Sequence, residues 1–161
     1  MNMKRLIEMP DNARVWIYQA SRFLTSSEIE IVESEVSAFL ADWTSHGVAM
    51  DAAFEISLNR MLVIAADELR ASGCGIDKSV KCIQALGSRL EIDFFQRTVV
   101  LYRMNDQLRE SPLHEFWALR KALVINDDTQ VIDTTVKSLG EYRTEFHKTF
   151  SRSWHAEMWG R

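Results

Sequence analysis

The stretch from Thr25 to Trp43 constrains this chain most, because it admits a helix and little else. Ile29, Val32, Val36, Phe39, Leu40 and Trp43 recur at the three-and-four spacing of one helical face, while Glu30, Glu33 and Glu35 fall largely elsewhere. Thr25, Ser26 or Ser27 can cap the start through a hydroxyl, and Glu28 and Glu30 suit the positive end of the helix dipole. Gly47 then ends the segment after His46. Upstream, the run Arg14-Val15-Trp16-Ile17-Tyr18-Gln19-Ala20 alternates β-branched and aromatic residues with others, the pattern of a strand.

Further on, Phe54, Ile56 and Leu58 alternate with Glu55 and Ser57, and Asn59-Arg60 separates them from the apolar run Met61 to Ala66, which reads as a hairpin. A loop, Ser72-Gly73-Cys74-Gly75, leads to Asp77 as the cap of a second helix striped by Val80, Ile83, Gly87 and Leu90. Thr98 to Met104 supplies a fourth strand. The resulting order βαββαβ is that of a ferredoxin-like plait, an α+β fold whose four-stranded antiparallel sheet carries two helices on one face. Pro112 with Phe116, Trp117, Leu119 and Leu123 reads as a third helix, Thr129 to Val136 as β-prone, and Leu139 to Phe150 as a further helix. The expectation is one domain over residues 1–161, with the plait in 1–106 and a mostly helical extension in 107–161. That length is enough to bury a core without disulfides or metal.

Composition narrows the functional classes. The net charge of −4, with no run of Lys and Arg, argues against binding to nucleic-acid phosphates. Met61 to Ala66 is the longest apolar run, too short to span a bilayer, and the N-terminus lacks a secretory signal's apolar stretch, so no membrane insertion and a cytoplasmic address are expected. The two cysteines, Cys74 and Cys82, are too few for an extracellular disulfide framework. His46, His114, His147 and His155 show no metal-type spacing, so neither metal nor cofactor is expected.

The plait topology carries the sharpest expectation: the loops containing His46 and Cys74 should meet at one end of the sheet, together with Asp67, Glu68, Asp77, Asn105 and Asp106. Cys74 precedes a helix N-terminus, where exposed amides favour an anion and depress a thiol pKa. His46 could serve as its base, with Asp67 or His155 orienting the imidazole. Gly73 and Gly75 permit close backbone approach to a small anionic ligand, a carboxylate or phosphate. The plainer reading is a small residue in a tight turn. On the first strand, Trp16 and Tyr18 share a face with Arg14, opposite Val15 and Ile17, the side expected to meet the helices. Those aromatics could stack bases, as RNA-binding plaits do, or be covered by Phe116, Trp117, Phe146, Phe150, Trp154 or Trp159, or by a second subunit in a homodimer.

Four segments, Ala13-Arg14-Val15-Trp16-Ile17-Tyr18-Gln19-Ala20, Trp43-Thr44-Ser45-His46-Gly47, Ser72-Gly73-Cys74-Gly75-Ile76-Asp77-Lys78-Ser79-Val80 and Ser153-Trp154-His155, together resemble a family of small bacterial proteins commonly labelled "ABC transporter ATPase". The resemblance spans nearly the whole chain and adds Trp43 and His155 to the ligand-binding candidates; Gly75 stands where it leads one to expect serine. The residues themselves supply no ATP site. A P-loop needs G-x-x-x-x-G-K-[ST], and the nearest segment, Gly73 to Ser79, has Asp77 where the second glycine belongs. The leading expectation is a non-catalytic ligand-binding or assembly module, the alternatives being a cysteine enzyme using Cys74 with His46 and a nucleic-acid-binding plait.

Overall fold

The structure, a computed structural model, describes residues 5–67 and 73–159, and these form an α+β chain of α-helices and antiparallel sheets. Two compact units divide it: Met1–Gln96 with Val136–Tyr142, and Arg97–Thr135 with Arg143–Arg161. Among the described residues no helix is long and apolar enough to cross a membrane.

The first unit contains β1 (Arg14–Gln19), α1 (Ser26–Asp42), β2 (Thr44–Ser45), β3 (Val48–Ala49), β4 (Ala52–Ser57), β5 (Met61–Ala66) and α2 (Gly73–Leu90). The apolar run Met61–Ala66 becomes the middle strand of an antiparallel sheet ordered β1-β5-β4, with Arg14 and Ala52 both opposite Ala66. All of β5 is buried, which requires cover on both faces. On one face Leu62, Ile64 and Ala66 pack with Tyr18 and with Val32, Val36, Leu40, Ile83 and Leu86 of α1 and α2. On the other, Val63 and Ala65 pack with Val15, Ala53, Leu6, Met9 and Leu139.

This arrangement reverses the expected faces of β1. Trp16 and Tyr18 lie beneath the helices, whereas Val15 and Ile17 meet the N-terminal turn and the start of α4 (Leu139–Glu145). Alternation separates two faces but does not say which one receives the helices. Pairing with Leu62 and Ile64 decides it, and the aromatics are covered from within their own unit.

The sheet holds three of the four expected plait strands, and the fourth is absent from it. Val99–Met104, now β6, pairs instead with β7 (Gln107–Pro112) and β8 (Gln130–Ile132) in a second sheet ordered β7-β6-β8-β9, the last strand being His147–Thr149. The cause is local. Asn105 and Asp106 both adopt positive φ, 52° and 63°, and reverse the chain in a two-residue turn, so β6 meets β7 before any distant partner. The outer side of β1 is held by short segments, through Val15 N–H to the Lys137 carbonyl (2.9 Å), Leu139 N–H to Ala13 (2.9 Å) and Gln96 N–H to Gln19 (3.2 Å).

In the second unit α3 (Leu113–Lys121) follows the proline as expected, but the helix expected over Leu139 to Phe150 ends at Glu145, because His147–Thr149 pairs with β8. Phe116, Tyr102, Val131, Ile125, Phe150 and Ala156 form its core, with Trp159 of α5 (Trp154–Trp159) against them.

Helix α1 owes its start to a reciprocal cap. Thr25 Oγ1 accepts from Glu28 N–H, and the Glu28 carboxylate accepts from Thr25 N–H at 2.9 Å. Arg22 adds a bidentate pair to Glu28 at 2.8 and 2.7 Å and, with the Thr25 amide, lowers that carboxyl to about 2.

At the far end of α2 Glu91 adopts positive φ, 56°, and turns the chain back so that Ile92 N–H donates to the Gly87 carbonyl at 2.9 Å. A Cβ on Gly87 would lie 2.5 Å from the Ile92 carbonyl oxygen and 3.4 Å from the Phe94 ring. Gly87→Ala should therefore destabilise by about 1–3 kcal/mol, even though alanine is ordinarily the better helix former by about 1 kcal/mol. The urea midpoint measures this, and an unchanged or raised midpoint would show that no such contact limits position 87.

Candidate functional site

The register places the start of β1, the start of β4 and the end of β5 at one end of the sheet, so the chain entering β4 and Asp67 at the end of β5 share a rim. Between α1 and β4 the chain forms a small hairpin, where His46 and Gly47, at φ 52° and 80°, make the turn joining β2 to β3. Helix α1 thus stops at Asp42 rather than at the glycine. The described part of α2 opens at Gly73, so Gly73, Cys74 and Gly75 are helical, and Asp77 lies within the helix as an exposed residue instead of capping it. The Cys74 side chain and Glu68 lie outside the described residues.

What joins the two segments is Trp43. Its indole N–H donates to the Gly75 carbonyl at 2.9 Å, and both residues are buried. The ring meets Trp16 edge-on at 6.2 Å and Phe39 at 5.4 Å. Ser45 packs over Gly75, where an added Cβ would touch Ser45 Cβ at 3.4 Å. That is ordinary contact for a Cβ. Lys78 closes the junction from outside, donating to the Thr44 carbonyl at 3.2 Å and to Thr44 Oγ1 at 3.3 Å.

Among the described residues Trp43 and Ser45 fill the space beside Gly75, and His46, Gly47, Val48, Gly73, Asp77 and Lys78 are exposed. Asp67 sits half-buried just past β5 with its N–H donating to the Asp51 carbonyl at 2.9 Å. The Lys-Ser pair that resembles the end of a P-loop has other employment. Lys78 ties down the hairpin, while buried Ser79 donates to the Ile76 carbonyl at 2.7 Å and lies 3.4 Å from the Tyr18 hydroxyl. Burial pushes the Tyr18 hydroxyl above its ordinary pKa. The sequence places Thr44, Ser45 and Lys78 within the segments that carry the family resemblance but gives them no site role; their contacts depend on the meeting of the hairpin with α2. An open depression of about 550 Å³ lies instead toward the other end of α2, lined by residues including Gly87, Glu91 and Phe94.

Asn105 and Asp106, expected on this rim, form the β6–β7 turn of the second unit. His155 also belongs to that unit, buried against Trp154 (3.9 Å), Phe116 (5.5 Å) and Trp159 (5.9 Å). Its Nδ1 lies 3.2 Å from Ser153 Oγ, whose own proton goes to the Phe150 carbonyl at 2.8 Å. Ser153 must then accept, so Nδ1 carries the imidazole proton. Near it, buried Asp133 is paired with Lys148 at 2.9 Å. Burial raises the Asp133 pKa, but hydrogen bonds from Thr135 and Lys148 outweigh that and hold it below the ordinary value. Among the described residues no group of three or more His, Cys, Asp or Glu side chains could hold a metal ion.

Two measurements test these environments. Trp43→Phe removes the bond to Gly75 and should lower stability by about 1–3 kcal/mol, with faster amide exchange in residues 44–49; unchanged exchange there would show that Trp43 does not anchor the hairpin.

Burial, opposed by Asp133 and assisted by Lys148, lowers the His155 pKa from 6.5 to about 4. Between those values the unfolded chain binds the proton and the native one does not, so stability falls as pH drops from 6.5 towards 4, by up to about 3 kcal/mol. His155→Phe should flatten this part of the pH profile of unfolding; an identical slope would place the titration elsewhere. Comparison with known proteins found no matching family model, no matching curated protein and no matching solved structure.

Proposed function

We propose that the protein is a non-catalytic binding or assembly module, derived from a ferredoxin-like plait and related to the small bacterial proteins that carry the "ABC transporter ATPase" label. The observation that carries this reading is the Trp43–Gly75 junction: where a cysteine enzyme needs a cleft between nucleophile and base, this rim has an indole hydrogen-bonded to the backbone of α2. His46 stands on the exposed hairpin tip, and Lys78 is turned onto Thr44. The plait ancestry rests on the order β1-β5-β4 with α1 and α2 packed on one face. A rim that is firm inside and mixed in polarity outside suits contact with a partner, including a second copy of the chain.

The rival reading, with Cys74 as nucleophile and His46 as base, draws on the shared rim and is separated by thiol chemistry. Alkylation at position 74, followed peptide by peptide, should be slow below neutral pH and indifferent to His46→Ala. Cys82 is the internal reference, since burial and then Glu35 push its thiol upward. Rapid alkylation of Cys74 below neutral pH that His46→Ala abolishes would replace the binding module with the enzyme.

A further inference from the structure

The strand margins of this protein are not treated alike. The outer side of β1 is occupied by Lys137 and Leu139 at one end and by Gln96 at the other. In the second sheet, the outer strand β7 carries Arg109 and Glu110 and ends in Pro112, while β9 has only three residues. Short length, charge and proline are the usual protections of an exposed strand. β4 has none of them: it runs six residues with a single charge, Glu55, and no proline.

Alternation identifies which of its backbone groups face outward. Asp67 N–H bonds to the Asp51 carbonyl, and in the register Asp51, Ala53, Glu55 and Ser57 face β5. The N–H and C=O groups of Ala52, Phe54 and Ile56 therefore point away from the sheet. Among the described residues no partner for them is found. Their side chains are only partly buried against the helix-side core, so Phe54 and Ile56 have apolar surface left to cover.

We propose that β4 pairs antiparallel with β4 of a second copy, joining two sheets about a two-fold axis at Phe54. Charge and the length of overlap together select the register, since an axis at residue 52 or 56 pairs only one end of the strand. With the axis at Phe54, each Glu55 lies opposite Ala53 of the partner strand, and Ala52 lies opposite Ile56. A shift that centres the pairing on residue 55 sets Glu55 against Glu55, and one that centres it on residue 53 sets Asp51 against Glu55; both juxtapose like charges. Glu55 is fixed in place, since it accepts from the Tyr142 hydroxyl at 2.7 Å on the opposite face from the helices. The contact is isologous, so it closes as a dimer and does not propagate. This goes beyond the assembly reading, which looks to the rim, by assigning a second surface and its partner, and it is tested by subunit mass and register, whereas that reading is tested by thiol reactivity.

The full chain should give twice its 18.6 kDa mass by light scattering. In amide exchange, residues 52, 54 and 56 should be protected along with 53 and 55, and should lose that protection on dilution. Residues opposite each other in such a pair are about 5.5 Å apart at Cα, within disulfide reach. Phe54→Cys should therefore cross-link to itself on mild oxidation, while Ile56→Cys should not. A monomeric mass at all concentrations overturns the proposal. So does a dimer in which amides 52, 54 and 56 exchange freely, a result that requires no variant to fold.

Discussion

Everything in the first unit is arranged around a strand that cannot tolerate water on either side. Met61–Ala66 offers no polar side chain, so its two faces must be covered by different parts of the chain. Helices α1 and α2 cover one face with a conventional aliphatic and aromatic core. The other face is covered more thinly by residues brought from both directions along the sequence, Leu6 and Met9 before the sheet and Leu139 after it. Burial of aliphatic side chains on this scale is worth roughly 1.5–3 kcal/mol per residue, enough to hold the short covering segments that have little structure of their own. The same demand explains why Trp16 and Tyr18 are not an open aromatic surface.

Sequence reasoning recovered what is local. Thr25 and Glu28 mark the start of α1, the apolar run marks β5, and the alternation at Phe54 and Ile56 marks β4. It failed where a choice depended on tertiary competition. Val99–Met104 reads as a strand and is one, but its partner is set by the Asn105–Asp106 turn, which binds it to its immediate successor. Gly73, Cys74 and Gly75 read as loop because glycine is a poor helix former, yet all three are helical in α2, and the Gly75 carbonyl accepts from Trp43. His147–Thr149 is helical by neighbourhood and extended by pairing.

The candidate site shows the same division. Strand order leads one to expect the chain around His46 and the chain around Cys74 at one end of the sheet, and among the described residues Trp43, Thr44 and Ser45 meet Gly75 and Lys78 there. What fills the space between them does not follow. A tryptophan at the end of an amphipathic helix reads as one more core residue, and only coordinates show that its N–H spans to another element. His155 sits in a motif-like run, but its surroundings are aromatic and its proton is committed to Ser153.

The closure of β1 by Lys137 and Leu139 bears on how the molecule is made. Residues 97–135 belong to the second unit, so vectorial synthesis delivers all of them between Gln96 and the segment that completes the first. While the chain is still on the ribosome, the N-terminal sheet can form its hairpin and dock both helices, but it stays unsealed along β1 until residue 139 has left the exit tunnel. Sealing of the N-terminal unit is thereby coupled to synthesis of the second-unit residues that intervene.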